Sequence, residues 1–335
     1  MVVIGEGENV VPPLFEKIVR GEDFRGVVYG DVVDVDRMGR IVGGTVGGVV
    51  EVARGCGRGC KFCAPTLQKF RCRPLEDILA EVEVNAKAGQ HNIILHAEDV
   101  LRYKANGVHV QPEAVKELFS SAMKVDGVKT VAPSHFALAS VVEKPGLLKE
   151  LSEIVGVGGK EKPWLSGQTG VETGSPRMIE INMPGKVKPF KPEEWPDVVE
   201  QAFAICQDSL WVPCGTLVLG LPGETSEDVY ATIELMDRLK PYRSIIVPLF
   251  FVPIGTLKNE KGFGVKDMKP YHWELILACW DHGMRWAEEL ATQYVFKMPW
   301  LARSYVLGFM RKVVHRMAGK ARREILRMME ESSRK

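Results

Sequence analysis

The hydrophobic positions of this chain alternate between two periods from residue 49 to residue 251. Short apolar runs typical of buried strands are followed by stretches in which apolar residues recur every three or four positions, as in amphipathic helices. The predicted strands are 49–53, 92–96, 128–132, 165–171, 211–220 and 245–251, and the predicted helices are 74–88, 112–123, 145–155, 176–182, 192–207 and 226–239. Successive strand-helix units require a parallel sheet with right-handed crossovers. We therefore predict an α/β fold, a partial (βα)6 barrel of the TIM type.

Two flanking regions fall outside this alternation. Residues 1–48 contain a short apolar strand, a helix from Asn9 to Arg20, and a Gly-, Val- and Asp-rich stretch (26–48) that predicts a hairpin linker with its turn at residues 38–40. From Pro270 onward the pattern is helical. The predicted organisation is a lead-in at 1–48 that looks like the end of another domain, a barrel at 49–255, and a C-terminal helical extension at 256–335.

Charge is distributed unevenly along the chain. The formal net charge is +1, but residues 303–335 hold ten Lys or Arg against three Glu, so the rest carries about −6. A basic amphipathic helix with aromatic residues at its head is typical of a peripheral membrane-surface element. A solvated docking helix or a nucleic-acid patch are the alternatives. The apolar stripe of this predicted tail helix consists of Leu307, Met310, Val314, Met317, Ala321 and Met328, with Trp300 and Tyr305 at its head.

The composition favours a soluble protein with a sizeable core. Hydrophobic residues make up 45% and charged residues 26% of the 335 residues, and no apolar run approaches the roughly 20 residues of a spanning helix. The apolar start of the chain is too short for a signal peptide. Seven cysteines, three of them in one motif, fit a reducing compartment better than a disulfide framework. We expect a cytoplasmic protein with peripheral membrane contact through residues 300–335.

Three cysteines lie within eight positions, as C-x3-C-x2-C at Cys56, Cys60 and Cys63. Interspersed glycines let this loop curl, and its basic residues (Arg54, Arg58 and Lys61) are expected to lower the thiol pKa and offset the charge of a sulfide cluster. A structural zinc site needs four ligands, and the other cysteines stand singly. Three thiolates on an iron-sulfur cubane leave one iron open. Zinc or a reactive thiol cluster is the alternative.

With Phe62 before its last cysteine, the loop resembles that of the radical S-adenosylmethionine (SAM) enzymes, whose 4Fe-4S cluster binds and reductively cleaves SAM. The resemblance covers roughly residues 45–255. Residues 170–175, Gly-Val-Glu-Thr-Gly-Ser, are similar to a Glu-(Ser/Thr)-Gly-Ser segment of the family, and residues 219–225, Leu-Gly-Leu-Pro-Gly-Glu-Thr, match another closely. The resemblance implies a radical SAM barrel with a 4Fe-4S cluster and SAM as cofactors.

Ligands of parallel sheets bind at the carboxyl ends of the strands, so residues that follow the predicted strands are candidates for the site. Glu98 stands where the family often has the Gly-Gly-Glu that holds the amino group of SAM, although its two preceding residues are not glycines. Ser134 offers a hydroxyl after the third strand. Glu172 matches a residue that meets the ribose or methionine part of SAM, and Leu221 lies in the segment where backbone approaches adenine. The resulting assignment is Phe62, Glu98, Ser134, Glu172 and Leu221 for cofactor binding and Cys56, Cys60 and Cys63 for metal.

The lead-in carries a second, weaker resemblance. Residues 5–8, Gly-Glu-Gly-Glu, are similar to the end of the cobalamin-binding domain that precedes the barrel in cobalamin-type radical SAM proteins, archaeal members among them. The D-x-H-x-x-G signature of that domain is missing from this chain. Cobalamin would therefore come through a domain absent from this chain, and a plain helical lead-in is the alternative.

The resemblance implies a radical SAM enzyme that cleaves SAM to a 5'-deoxyadenosyl radical. The expected reaction is cobalamin-type methyl transfer or carbon-carbon bond formation at an unactivated carbon, with a lipid among the candidate substrates. Its expected partners are a low-potential electron donor of the ferredoxin or flavodoxin type and a small-molecule or lipid substrate. The alternatives are a methylthiotransferase-like enzyme and a non-enzymatic iron-sulfur or zinc-binding protein.

Overall fold

The structure, a computed structural model, describes residues 2–23, 25–295 and 298–333. Its strands are β1 (Val2–Gly5), β2 (Val27–Gly30), β3 (Val49–Glu51), β4 (Ala53–Arg54), β5 (Arg71–Cys72), β6 (Asn92–His96), β7 (Thr130–Pro133), β8 (Leu165–Glu172), β9 (Trp211–Leu219) and β10 (Ile245–Phe250). Its α-helices are α1 (Val11–Val19), α2 (Leu75–Lys87), α3 (Pro112–Met123), α4 (Leu138–Glu143), α5 (Leu147–Val155), α6 (Pro176–Asn182), α7 (Trp195–Asp208), α8 (Ser226–Leu239), α9 (Pro270–Val295) and α10 (Trp300–Ser333).

Six parallel strands form the centre of the molecule. Strand β6 pairs with β3 and β7, and β9 pairs with β8 and β10, every pair being parallel. The two groups meet at a parallel bridge between His135 and Gln168. There the Gln168 N–H donates to the Ser134 carbonyl at 2.8 Å, and the Phe136 N–H donates to the Gln168 carbonyl at 3.0 Å. The strands therefore follow one another in chain order, which confirms the predicted partial (βα)6 barrel.

The core lies between these strands and their helices. Strand β6 points Ile93 and Leu95, two positions apart and so on one face, into this core, and both are completely buried. Phe136 and Trp211 pack edge to face with ring centroids 5.3 Å apart, and the Trp211 indole N–H donates to the Ser152 hydroxyl at 2.9 Å. The polar edge of this large side chain is thus satisfied inside the core.

One barrel helix differs from its prediction. The predicted helix 145–155 begins at Leu147, and a separate helix, α4, precedes it at residues 138–143. Helix α4 buries Leu138, Ala139, Ser140 and Val141 in succession. A helix that is buried nearly all round shows no 3.6-residue periodicity, so its sequence resembles a short apolar run.

The predicted hairpin at residues 26–48 is wrong. Strand β2 pairs in parallel with β1, with α1 as the crossover. The rest of this segment lies along α2, because side chains of that helix accept its backbone N–H groups. Ile41 N donates to Glu81 Oε1 at 3.1 Å, and Thr45 N donates to Asn85 Oδ1 at 2.8 Å. Bonds to a neighbouring helix replace the cross-strand bonds that a hairpin would have made.

Two long helices, α9 and α10, follow the barrel and pack against each other. Arg322 of α10 pairs with Asp281 of α9 at 3.3 Å. Of the predicted apolar stripe, Leu307, Ala321 and Met328 are half-buried, while the side chains of Met310, Val314 and Met317 lie outside the described set, as does that of Trp300. Across the described residues, no helix is both long and apolar enough to cross a membrane.

Candidate functional site

A cavity of about 230 Å³ contains the three cysteines of the loop at residues 56–63. It lies where barrel strands end, because its lining includes residues that follow or end β6, β7 and β8. Phe62, Glu98 and Glu172 line the same cavity, so most of the predicted site residues come together. Ser134 and Leu221 do not belong to this lining.

The cysteine loop is held by its flanks and by the opposite side of the barrel. Strands β4 and β5 pair antiparallel on either side of the loop. Gly55 has φ +77°, and a Cβ there would lie 2.6 Å from two backbone oxygens. A Cβ at Gly185 would lie 1.8 Å from the Arg58 carbonyl oxygen, so only glycine allows this close approach. The Lys61 N–H donates to the Asn182 carbonyl at 2.9 Å.

Arg58 anchors the loop from inside. Its guanidinium pairs with Asp99 at 3.0 Å, and the two side chains are only 5% and 2% exposed. It also donates to the Ser140 hydroxyl at 3.0 Å and to the carbonyls of Lys186 and Lys188 at 3.0 and 3.1 Å. A second arginine, Arg102, donates to the Cys56 carbonyl at 2.8 Å. These bonds position the backbone that carries the thiols.

Burial outweighs the loop's basic residues in setting the pKa of two of its thiols. Burial raises the pKa of the Cys60 thiol, and burial raises the pKa of Cys63 to about 11. The charge of Arg58 lowers the pKa of Cys60, but by less than burial raises it. Arg58 also pairs with Asp99, and Arg54 pairs with Glu6, Glu8 and Glu51. Metal binding at these thiols must therefore release protons.

The arrangement fits an iron-sulfur cluster and a polar ligand beside it. In the described part of the chain, no three His, Cys, Asp or Glu side chains form a group that could hold one metal ion. Cluster ligation needs a different geometry, since each thiolate binds its own iron around a shared core. Three thiols that face one cavity meet this need. In addition, the buried Thr169 hydroxyl lines the cavity without a hydrogen-bond partner among the described residues, as expected of a group reserved for a ligand.

Glu172 lies in the cavity on a strained piece of backbone. Its φ is +65°, in the left-handed region, and it follows a β-bulge in β8. Its carboxylate accepts from Lys186 Nζ at 3.1 Å and from the Thr216 hydroxyl at 3.4 Å. A Cβ at Gly170 would lie 1.9 Å from Glu172 Oε1 and 2.5 Å from Lys186 Nζ, so this pair depends on a glycine at position 170. Such strain is typical of functional sites.

Lys186 is a cavity residue that the sequence did not reveal. Burial alone would lower its pKa, but the nearby Glu172 and Cys60 outweigh burial and raise it, so the ammonium stays charged. It follows α6 instead of a strand, so the rule that ligands bind at strand ends does not point to it. In the sequence, its one unusual feature is a lysine between two apolar residues, Met183 and Val187, which the structure shows to be buried.

Ser134 contacts the cavity through a neighbour. Its Oγ lies 2.9 Å from His135 Nδ1 and 3.0 Å from His96 Nδ1. His135 lines the cavity, and its Nε2 lies 3.0 Å from Gln168 Oε1. Burial lowers the pKa of His135, which favours its neutral form. Ser134 thus orients an imidazole of the lining, and its predicted direct contact with the cofactor stays a prediction.

Leu221 belongs to the loop that follows β9. It is 2% exposed, within the core. The predicted segments at 170–175 and 219–225 are tied together by Asp228, whose carboxylate accepts from Ser175 Oγ at 2.6 Å and from Thr225 N at 2.8 Å. Burial raises the pKa of Asp228, but hydrogen bonds from Arg177, Ser175 and Thr225 outweigh it and hold this pKa at about 2. The second segment therefore fixes the first in place.

Known proteins resemble this chain in sequence and in fold. Residues 50–236 match the family model of the radical SAM superfamily. The tRNA-2-methylthio-N(6)-dimethylallyladenosine synthase of Magnetococcus marinus is 25% identical over 244 residues, which cover 71% of this chain and 52% of that protein. The ribosomal protein uS12 methylthiotransferase RimO of a Thermoanaerobacter species is 30% identical over 147 residues, 42% of this chain and 33% of that protein.

A solved structure shares the fold. The radical SAM methyltransferase TsrM from Kitasatospora setae, with tryptophan substrate and a SAM analogue bound, has a TM-score of 0.52 at 16% identity, over 76% of this chain and 52% of TsrM. This chain spans about half the length of TsrM and of the Magnetococcus marinus relative, and the match with the Thermoanaerobacter relative spans a third of that protein. The likeness to TsrM concerns the fold alone.

Proposed function

The chain belongs to the radical SAM superfamily, and from this premise we propose that it forms a new bond at an unactivated carbon of its substrate, by methyl transfer or carbon-carbon coupling. The family predicted from the sequence is thereby confirmed, and membership brings a 4Fe-4S cluster and SAM as cofactors. Cobalamin, a low-potential electron donor of the ferredoxin or flavodoxin type, and cytoplasmic placement are parts of the proposal.

Cys56, Cys60 and Cys63 would hold the cluster. When bound and reduced, it supplies the electron that cleaves SAM to a 5'-deoxyadenosyl radical. The chain's own residues bind and orient the cofactor around that event. Glu172 and Lys186 offer opposite charges 3.1 Å apart on one wall, which suits the ammonium and carboxylate of a zwitterionic ligand. Phe62 lines the cavity beside the cysteines, where an apolar ring excludes water.

The observation that carries the proposal is the presence of one three-cysteine motif in the sequence, all of it on one cavity. Methylthiolation usually needs a second cluster, and the other four cysteines lie outside any three-cysteine motif. Cys206 and Cys279 are buried, and Cys72 accepts from the Lys104 N–H at 3.1 Å. Within residues 1–335, Cys56, Cys60 and Cys63 are thus the cysteines proposed to hold a cluster.

Methylthiolation is the second candidate, because the curated relatives favour it. One, 25% identical, is named as a synthase of a 2-methylthio-modified tRNA nucleoside, and another, 30% identical, is named as a ribosomal protein uS12 methylthiotransferase. Under this alternative the substrate would be a macromolecule, and the product would gain sulfur as well as a methyl group.

We expect anaerobically reconstituted protein to release 5'-deoxyadenosine when SAM and dithionite are added. Failure of well-loaded protein to cleave SAM would contradict the proposal. Methyl-labelled SAM then separates the candidates. The assay is run with added cobalamin, with added sulfide, and with neither. Transfer of the labelled methyl group, or a new carbon-carbon bond, supports reaction at carbon if it occurs with cobalamin or without either additive. Transfer of the label that requires sulfide supports methylthiolation.

Replacing Glu172 by Gln should weaken SAM binding about 10- to 150-fold, because one charge-assisted hydrogen bond contributes about 1.5 to 3 kcal/mol. Glutamine can still accept from Lys186, so the fold should persist. The measurement is SAM affinity by equilibrium dialysis on protein of known iron content. The exposed Glu193→Gln is the matched control and should bind SAM normally. Unchanged affinity in Glu172→Gln, with full iron content, would give Glu172 a structural role only.

A further inference from the structure

One face of α10 carries a row of exposed side chains that begins apolar and continues basic. Leu301, Tyr305 and Phe309 are 65%, 76% and 61% exposed. Residues four apart lie on one face of a helix, so these three form a continuous apolar end. Lys312, Arg316 and Lys320 continue the same line at spacings of three and four, and all are exposed. We name these six residues the α10 row; it extends about 29 Å at a rise of about 1.5 Å per residue.

The opposite side of α10 is already occupied. Leu307, Ala321 and Met328, which the sequence grouped into a membrane-facing stripe, are half-buried and lie on the side of α10 away from the row. Arg322 pairs with Asp281 of α9 across the same contact between helices. The described part of the stripe that periodicity marks is therefore half-buried, and the α10 row lies in solvent.

The charged residues in the sequence that carries the row have a single sign. Residues 290–323 contain no Asp or Glu and eight Lys or Arg. Met298, 43% exposed, lies just before α10 and adds to the apolar end. Exposed large apolar side chains beside a cationic surface of this length call for an anionic partner with an apolar interior.

We propose that the α10 row binds the surface of an anionic membrane, with Leu301, Tyr305 and Phe309 inserted at the level of the acyl chains and Lys312, Arg316 and Lys320 among the headgroups. Lipid accounts for the order of the row better than nucleic acid does. Single-stranded nucleic acid is bound by aromatics that stack on bases along a basic groove, whereas here apolar and basic residues occupy separate ends and the apolar end includes aliphatic Leu301 and Met298. An enzyme held this way meets lipid or lipid-linked substrates first.

The test is co-sedimentation of the full chain with vesicles of phosphatidylcholine plus phosphatidylglycerol, and with vesicles of phosphatidylcholine alone. The protein should pellet with the anionic vesicles and be released by high salt. The variant Lys312→Gln, Arg316→Gln, Lys320→Gln should bind about 100-fold more weakly, since each of the three cations near an anionic leaflet contributes about a factor of five. The variant Leu301→Ser, Tyr305→Ser, Phe309→Ser should lose at least about tenfold through lost apolar burial.

Matched control variants distinguish binding by the α10 row from non-specific electrostatic or hydrophobic binding to vesicles. Lys129→Gln, Lys149→Gln, Lys160→Gln removes the same charge from exposed lysines elsewhere, and Val42→Ser, Val46→Ser removes two exposed valines. Both controls should bind like the wild type, and circular dichroism should show that all variants are folded. Equal binding by row variants and controls, no preference for anionic vesicles, or displacement of vesicles by competing RNA would each overturn the proposal. SAM cleavage is not needed for this assay, so its outcome is independent of the proposed reaction.

Discussion

Protein in which Cys56, Cys60 and Cys63 are all replaced by alanine should retain no cluster iron after anaerobic reconstitution, whereas the wild-type chain should bind about four irons per molecule. The reason is geometric: these three thiols share one cavity, and no other described cysteine lines it. The measurement is iron and sulfide content with the visible absorbance of the cluster. Because SAM cleavage requires the cluster, the variant should also produce no 5'-deoxyadenosine.

The matched control is Cys72→Ala with Cys214→Ala, which removes two partly exposed thiols outside the cavity. It should keep the wild-type iron content. Purified wild-type protein that carries tetrahedral zinc and takes up no iron would exclude a cluster at this loop. Cluster retained in the triple variant would assign the ligands to other residues.

The barrel could be predicted because its sequence signals are local. Strand β6 and helices α3 and α8 begin and end at the predicted residues, 92–96, 112–123 and 226–239. In each of these elements the hydrophobic positions repeat with the period of its secondary structure. Residues that favour a terminus mark the ends, such as Pro112 at the first turn of α3. In a parallel sheet the carboxyl ends of the strands share one edge, so the strand-end rule also brought Glu98 and Glu172 to the right cavity without any knowledge of contacts.

What the sequence missed depends on residues far apart in the chain. The partner of Arg58, Asp99, lies 41 positions away and after another strand, so the sequence did not show this ion pair. Lys186 reaches Glu172 only because Gly170 leaves room for both. The linker at 31–48 carries turn-forming residues, yet α2 accepts its N–H groups and overrides the hairpin. Secondary-structure propensity depends on a segment's own residues, whereas each of these contacts depends on a residue that is distant in the sequence and close in the fold.

In the C-terminal helix α10, the sequence predicted the helix but not which of its faces is buried. Its amphipathic period was read correctly as a helix, and the period alone assigned its apolar stripe to a membrane. The structure uses part of that stripe to pack on α9, so the face left for a partner is a different one. A hydrophobic stripe identifies a buried surface but does not say what buries it.

Replacing Arg58 by Met should lower the free energy of unfolding by about 3 to 5 kcal/mol, because it leaves the buried Asp99 carboxylate without its cation. Both side chains are almost fully buried, so water does not replace the lost partner. The loop should also lose its bonds to the carbonyls of Lys186 and Lys188 and hold iron less well. Chemical denaturation of the cluster-free protein measures the first effect. Arg40→Met is the control: Arg40 is 54% exposed and pairs with Asp77, and its loss should cost less than about 1 kcal/mol.

A double-mutant cycle decides whether the pair itself is responsible. Asp99 also accepts from the Ser140 hydroxyl at 2.7 Å and the Ala137 N–H at 3.1 Å, so Asp99→Asn carries a cost of its own. If Arg58 and Asp99 stabilise each other, the double variant Arg58→Met, Asp99→Asn should lose about 1 to 3 kcal/mol less than the sum of the two single variants. Strict additivity would instead mean that Arg58 anchors the cysteine loop through the backbone carbonyls alone, and the ion pair would then contribute nothing to the shape of the site.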